Sequence, residues 1–268
     1  MKSNELIKEV KLFLLDMDGT IYLGNELLPG ALDFLQNVKD RGKEYIFLTN
    51  NSSKNAPAYL EKLKDLGIEA TAENLIISTD LLVYYLNRHK PGATVFPVGT
   101  AQFEEALVKA GFKLIKEYYK DYKPDYVVVA FDTSLYYDKL FYACNYIREG
   151  VPYVATHPDF NCPLEDGIYM PDCGAIIEFI KASTGIIPVE IVGKPNTTIV
   201  EMITERGYGK NELAMVGDRL YTDIRLGADS GINSILVLSG ESDMDDVKNS
   251  EVKPDFIFKG VRDIIKHL

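Results

Sequence analysis

The stretch Val-Lys-Leu-Phe-Leu-Leu-Asp-Met-Asp-Gly-Thr, residues 10–20, constrains this chain more than any other. Its apolar run Leu12–Leu15 is short, β-favouring and ends in charge, so it reads as a fully buried parallel strand. Open α/β sheets bind their ligands outside the C-terminal ends of such strands. Here that end delivers two carboxylates, Asp16 and Asp18, followed by a glycine. A buried sheet has no packing reason to end in paired acids, because each must be solvated, paired or bound to a cation. One carboxylate could attack an electrophile while the other handles a proton. Both could help hold a hard cation such as magnesium, which takes oxygen ligands. An acidic turn without chemistry fits this motif alone as well. A calcium-binding EF-hand loop does not fit, since counting from Asp16 puts Ile21 where that loop needs glycine and Leu27 where it needs glutamate.

At 268 residues the chain can form one large domain or two modest ones, each with a real core. A hydrophobic fraction of 46% against 26% charged residues excludes disorder as the main state. The net charge of −11 argues against a nucleic-acid or anionic-membrane binder. It also means that a phosphate site needs local positive charge, from a metal or an oriented lysine. Cys144, Cys162 and Cys173 have no CxxC spacing and leave an odd number, so buried thiols in a reducing cytosol are expected rather than a disulfide scaffold or a zinc site. The first apolar run is cut by Asp16 after four residues, which does not read as a signal peptide, and no stretch reads as a membrane span. A soluble, cytoplasmic protein is the expectation.

Along the chain, Pro29–Arg41 has helical spacing at Ala31, Phe34, Leu35 and Val38, with Gly42 as its stop. Tyr45–Leu48 reads as the next buried strand and ends in Thr49-Asn50-Asn51-Ser52-Ser53. That polar cluster fits a helix cap or an anion cradle equally well. After the strand Leu75–Ser78 and the helix Leu81–Arg88, His89-Lys90-Pro91-Gly92 punctuates the chain, and residues 93–180 start a fresh β/α alternation with its own core. Within it, Thr156-His157-Pro158-Asp159 follows a strand; such a histidine is more often structural than functional. Val189–Val192 reads as a strand ending in Gly193-Lys194-Pro195, where a lysine held between glycine and proline suits an oriented cation. Leu213–Val216 is followed by Gly217-Asp218-Arg219-Leu220-Tyr221-Thr222-Asp223, again two acids where an apolar strand runs out. Ile235–Leu238, Phe256–Phe258 and a helix over Val261–Leu268 complete the pattern.

Asp-Met-Asp-Gly-Thr after an apolar strand resembles the first motif of the haloacid dehalogenase-like (HAD) superfamily, most of whose members are phosphatases. The later motifs, in their order, resemble its NagD-like, 4-nitrophenylphosphatase-type branch over nearly the whole chain. The resemblance implies a doubly wound, mainly parallel, Rossmann-like α/β core over residues 1–80 and 182–268, with an α/β cap inserted at 81–181 that sets substrate specificity. It implies Asp16 as nucleophile and metal ligand, and Asp18 as acid/base that also meets the metal through its backbone carbonyl. Thr49 and Asn50 would hold the phosphate, and Lys194 would neutralise nucleophile and phosphoryl group. Asp218 would be a direct magnesium ligand, with Asp223 bound through water or a lysine partner. Loops of the T-[HN]-P-D kind face the active site in that branch, which makes His157 and Asp159 substrate-side residues. The expected partner is a small phosphorylated metabolite; caps in that branch often make dimers, so the resemblance allows a homodimer through the cap while leaving the oligomeric state open.

Rival readings share parts of this pattern. A response-regulator receiver phosphorylates an aspartate on a similar sheet, but is about half this length and needs neither Asp18 nor a cap. In the dehalogenases the second aspartate is absent. A phosphotransferase or phosphomutase keeps the same core. A catalytically silent HAD fold would serve as a binding module, because fold alone does not fix function.

Overall fold

The apolar runs form strands in the computed structural model, which describes residues 3–163 and 168–268. In chain order these are β1 (Leu12–Leu15), β2 (Glu44–Thr49), β3 (Leu75–Ile77), β4 (Thr94–Val98), β5 (Lys113–Leu114), β6 (Tyr126–Val129), β7 (Tyr153–Ala155), β8 (Glu190–Ile191), β9 (Leu213–Gly217), β10 (Asn233–Val237) and β11 (Phe256–Phe258). They sort into two sheets with strand orders β11-β10-β9-β1-β2-β3 and β8-β7-β6-β4-β5. Helices connect most successive strands, as parallel pairing requires; the link from β5 to β6 is a loop.

In the first sheet, β1 pairs in parallel with β9 on one side and β2 on the other, so Leu15 lies opposite both Val216 and Phe47. The chain fills the sheet outward from β1 to β3, then restarts at β9 and fills the other half. Its direction of winding therefore reverses between β1 and β9, which is the switch point where such sheets open a crevice at the strands' C-terminal ends. Leu12, Phe13, Leu14 and Leu15 are fully buried. Each such side chain contributes about 1.5–3 kcal/mol of burial, so β1 is anchored well enough to end in two acids.

The contacts divide the chain into two units, residues 1–49, 60–76 and 194–268 in one, and 50–59 and 77–193 in the other. The second unit has its own core, in which Phe96, Val127, Tyr146, Tyr153 and Ile180 are buried together. It is longer than the block expected at 81–181. The strand expected to lead to Lys194 as part of the first sheet is β8, which pairs with β7 of the second, Glu190 opposite Val154 and Ile191 opposite Ala155. A short apolar run carries the same local signal whichever sheet receives it; pairing with β7 keeps residues up to Gly193 with the second unit. The segment 50–59 joins that unit for a similar reason. Ser52 Oγ accepts the Phe131 N–H (2.9 Å) and Thr100 Oγ1 donates to Ser53 O (2.9 Å). These contacts lie at the second sheet's own winding reversal, between β4 and β6. Lys139 closes the same edge, with its ammonium on Asp132 (2.6 Å) and on the Gly99 carbonyl (2.7 Å).

Other boundaries shift modestly. A helix runs Cys173–Thr184, capped by Asp172, and the final helix expected over Val261–Leu268 is a 3-10 segment, Val261–His267. Among the described residues, no helix is long and apolar enough to cross a membrane.

Candidate active site

The switch point of the first sheet brings together the acids that the sequence holds about 200 residues apart. Asp16 follows β1 and its N–H donates to Val216 O (2.9 Å), so it sits beside the end of β9, where Asp218 begins the next loop. The residues after Asp218 make a π-helical turn, Leu220–Ile224, in which Ile224 N–H reaches back to Arg219 O (3.1 Å). Such turns often mark functional sites, and this one aims Asp223 inward. Lys194 is only 3% exposed; its ammonium donates to Asp16 Oδ1 and to Asp223 Oδ1 (2.7 Å). Asp223 Oδ2 accepts the Arg219 N–H (3.1 Å), and Asp16 Oδ2 lies 3.4 Å from the Thr20 hydroxyl.

Asp16, Asp218 and Asp223 each turn one carboxylate oxygen into a group whose members lie within 4.8 Å of one another. Two of the three buried carboxylates, Asp16 and Asp223, bond the Lys194 ammonium and Asp218 adds a third acid, so negative charge is in excess. Burial, reinforced by Asp16 and Asp223, holds the Asp218 carboxyl well above the usual carboxylate range. Burial raises Asp223 as well, with Lys194 opposing. Burial would lower Lys194, but the two carboxylates outweigh it and keep the ammonium charged. Asp218 Oδ1 is buried and meets no hydrogen-bond donor among the described residues. An orphaned oxygen on one member of a set of oxygen-only donors fits a hard divalent cation, which would neutralise the excess charge.

Asp18 stands apart from this group. Its side chain is 46% exposed, with Oδ1 3.9 Å from Lys62 Nζ, and that ammonium lies 3.9 Å over the Tyr22 ring. Burial around it raises the Asp18 carboxyl, Lys62 pulls it down and Asp16 adds to the rise. The first unit thus holds a buried carboxylate gripped by lysine, a second acid open to solvent, and a cation-shaped set of oxygens, at the crevice of one parallel sheet.

Comparison with known proteins decides the family. Residues 13–113 match the model of the haloacid dehalogenase-like hydrolases and residues 191–264 that of the HAD-hydrolase-like proteins. An acid sugar phosphatase of Staphylococcus aureus is 36% identical over 263 residues, which cover 98% of this chain and 99% of that one. The chain belongs to the haloacid dehalogenase-like hydrolases.

Within them it is a phosphatase of the NagD-like, 4-nitrophenylphosphatase type. The structure of 4-nitrophenylphosphatase from Thermotoga maritima superposes with a TM-score of 0.91 at 42% identity, covering 97% of this chain and 98% of the other. A glycerol phosphate phosphatase from Mycobacterium tuberculosis, solved in complex with magnesium, gives 0.87 at 29% identity, covering 98% of this chain and 78% of the other. A further structure of that phosphatase is in complex with calcium.

The remaining expected residues of this HAD-like phosphatase divide between the two units. Thr49 ends β2 in the first unit, while Asn50 makes its contacts in the second. There Asn50 Nδ2 donates to Asp159 Oδ2 (3.1 Å) and its carbonyl accepts the Ser78 hydroxyl. His157 was expected on the substrate side; its ring is instead fully buried and bonded at both nitrogens. Nδ1 meets Thr156 Oγ1 (2.9 Å) and Nε2 meets Asp172 Oδ1 (2.8 Å), and that same oxygen caps the helix at Cys173 N–H (2.5 Å). His157 is thus a brace between the loop and a helix start. No local signal revealed this, because the partner Asp172 is 15 residues further on. The structural role predicts that His157→Ala lowers unfolding stability by about 2–4 kcal/mol, from the cavity and the lost bonds. A thermal midpoint unchanged from the parent would remove the brace.

Two contributors escaped sequence reading altogether. Lys62 lies in the helix Ala56–Asp65 among other lysines, with nothing to single it out. The loop Ser239–Ser242 carries no chemical motif, yet Glu241 N–H donates to Asp218 Oδ2 (2.6 Å). No disulfide joins Cys144, Cys162 or Cys173, and burial pushes the Cys173 thiol up to about 12, so it is no nucleophile at neutral pH.

Proposed function

We propose that this enzyme is a magnesium-dependent phosphatase of small phosphomonoesters that works through an aspartyl-phosphate on Asp16. The carrying observation is the group Asp16–Lys194–Asp223–Asp218 at the switch point, with Asp218 Oδ1 left for a cation. Asp16 attacks phosphorus in line: its bond to phosphorus forms as the ester P–O bond breaks. Asp18, open to solvent beside it, gives its proton to the departing alkoxide. In the second half, Asp18 takes a proton from water as the water oxygen bonds to phosphorus and the Asp16–phosphorus bond breaks. Inorganic phosphate leaves and Asp16 is regenerated. Lys194 holds Asp16 in one orientation throughout and offsets charge on the phosphoryl oxygens. Thr49, at the end of β2, and Asn50, next in the chain, supply donors for the phosphate, and Asp159 fixes the Asn50 amide. Asp16 and Asp218, with the Asp18 carbonyl and Asp223 behind them, would hold magnesium, whose double charge lets a dianionic phosphate approach these acids.

The relatives' names direct the substrate search to sugar phosphates and glycerol phosphate, with nucleoside monophosphates and phosphoglycolate beside them. The second unit, through the loop around Asp159, is the part of the chain that we assign to substrate choice. Phosphate release from such a panel, with 4-nitrophenyl phosphate as surrogate, tests this reading. Chelation should lower turnover at least ~10^2-fold, and magnesium should restore it. Full activity after rigorous chelation would remove the metal from the mechanism; no release from any ester would remove the reaction.

A further inference from the structure

We infer that the loop Ser239–Ser242 is the positioning element of the metal site, with Gly240 and the Glu241 backbone N–H aiming the Asp218 carboxylate. This rests on the magnesium reading above. Asp218 is gripped at two places by neighbours far from it in sequence. Its carbonyl accepts the Ser242 N–H (3.2 Å) and its Oδ2 accepts the Glu241 N–H (2.6 Å). Ser239 Oγ donates to Gly19 O (2.8 Å), which ties the same loop to the turn that carries Asp16 and Asp18.

The two glycines close the remaining space. A Cβ at Gly240 would fall on Asp218 Oδ2 and Cγ, and a Cβ at Gly19 would fall on the same oxygen. Oδ2 is walled by backbone and held by an amide, which fixes the carboxylate and leaves Oδ1 as its buried oxygen without a donor among the described residues. A buried aspartate serving packing alone would have both oxygens satisfied. Here one is satisfied rigidly and the other is held in reserve, which is how outer groups orient a metal ligand. Gly240 is a positioning residue, acting only through Asp218.

Magnesium binding to the full-length chain, measured by isothermal titration, provides the test. Gly240→Ala should raise the magnesium Kd at least ~10-fold, as removal of outer-shell support does elsewhere. Should that variant fail to fold, Ser239→Ala loses a single hydrogen bond and should still raise Kd roughly threefold. Gly260→Ala, where nothing lies within 4 Å of an added Cβ, should leave Kd at the parent value. A folded Gly240→Ala or Ser239→Ala chain with the parent's Kd overturns the positioning role. A parent chain that binds no magnesium overturns the metal reading itself, which separates the two failures.

Discussion

Asp16→Ala is expected to lower kcat by at least ~10^3-fold, with the fold retained and the metal-free thermal midpoint unchanged or raised. No other carboxylate can take over the attack. Asp223 is bound to Lys194 and to the Arg219 N–H, Asp218 Oδ2 is enclosed by the Ser239–Ser242 loop, and Asp18, half exposed, faces Lys62. The stability half of this expectation follows from the same charges. Asp16 helps to raise both Asp218 and Asp223, so its removal relieves repulsion within a buried acidic group. Loss of its bond to Lys194 works the other way, but Asp223 still holds that ammonium. Steady-state kinetics with 4-nitrophenyl phosphate, and acid-quench trapping of phosphate on the parent chain alone, check it. Parent-like turnover in the variant would sink the aspartyl-phosphate mechanism.

Lys194→Met should move rate and stability downward together. The ammonium is bonded to both Asp16 and Asp223, and it is buried with them. Removing an oriented charge stabiliser of this kind lowers kcat about 10^2–10^3-fold. Removing one side of a buried ion pair leaves the carboxylates uncompensated and costs roughly 3–5 kcal/mol of stability. Magnesium supplies part of the missing charge, so it should raise the thermal midpoint more in this variant than in the parent. The contrast with Asp16→Ala is the diagnostic: two inactive chains, one stable and one not. A Lys194→Met chain as stable as the parent without metal would mean that the ammonium does not balance these acids.

The residues that gather at the first unit's switch point can be picked out from the amino-acid sequence alone. Asp16 and Asp18, and later Asp218 and Asp223, stand where apolar strands run out, and a carboxylate in that place must be solvated, paired or bound to a cation. The local grammar of apolar run, acid and glycine is written in consecutive residues, so it is readable without coordinates. Lys194 was legible in the same way, from its place between Gly193 and Pro195. The tertiary structure alone decided what depends on partners distant in the chain. Glu190–Ile191 joined β7 rather than the first sheet, since strand pairing is chosen by surfaces that a five-residue window does not contain. Asn50 took Asp159 as its partner across 109 residues, and His157 became a brace because Asp172 caps the helix beside it. The orientation of Asp218 was equally invisible: its oxygens are sorted by a backbone amide and two glycines, groups that every sequence has and none can flag. Side-chain chemistry is local, whereas hydrogen-bond partnership and close packing are properties of the folded chain.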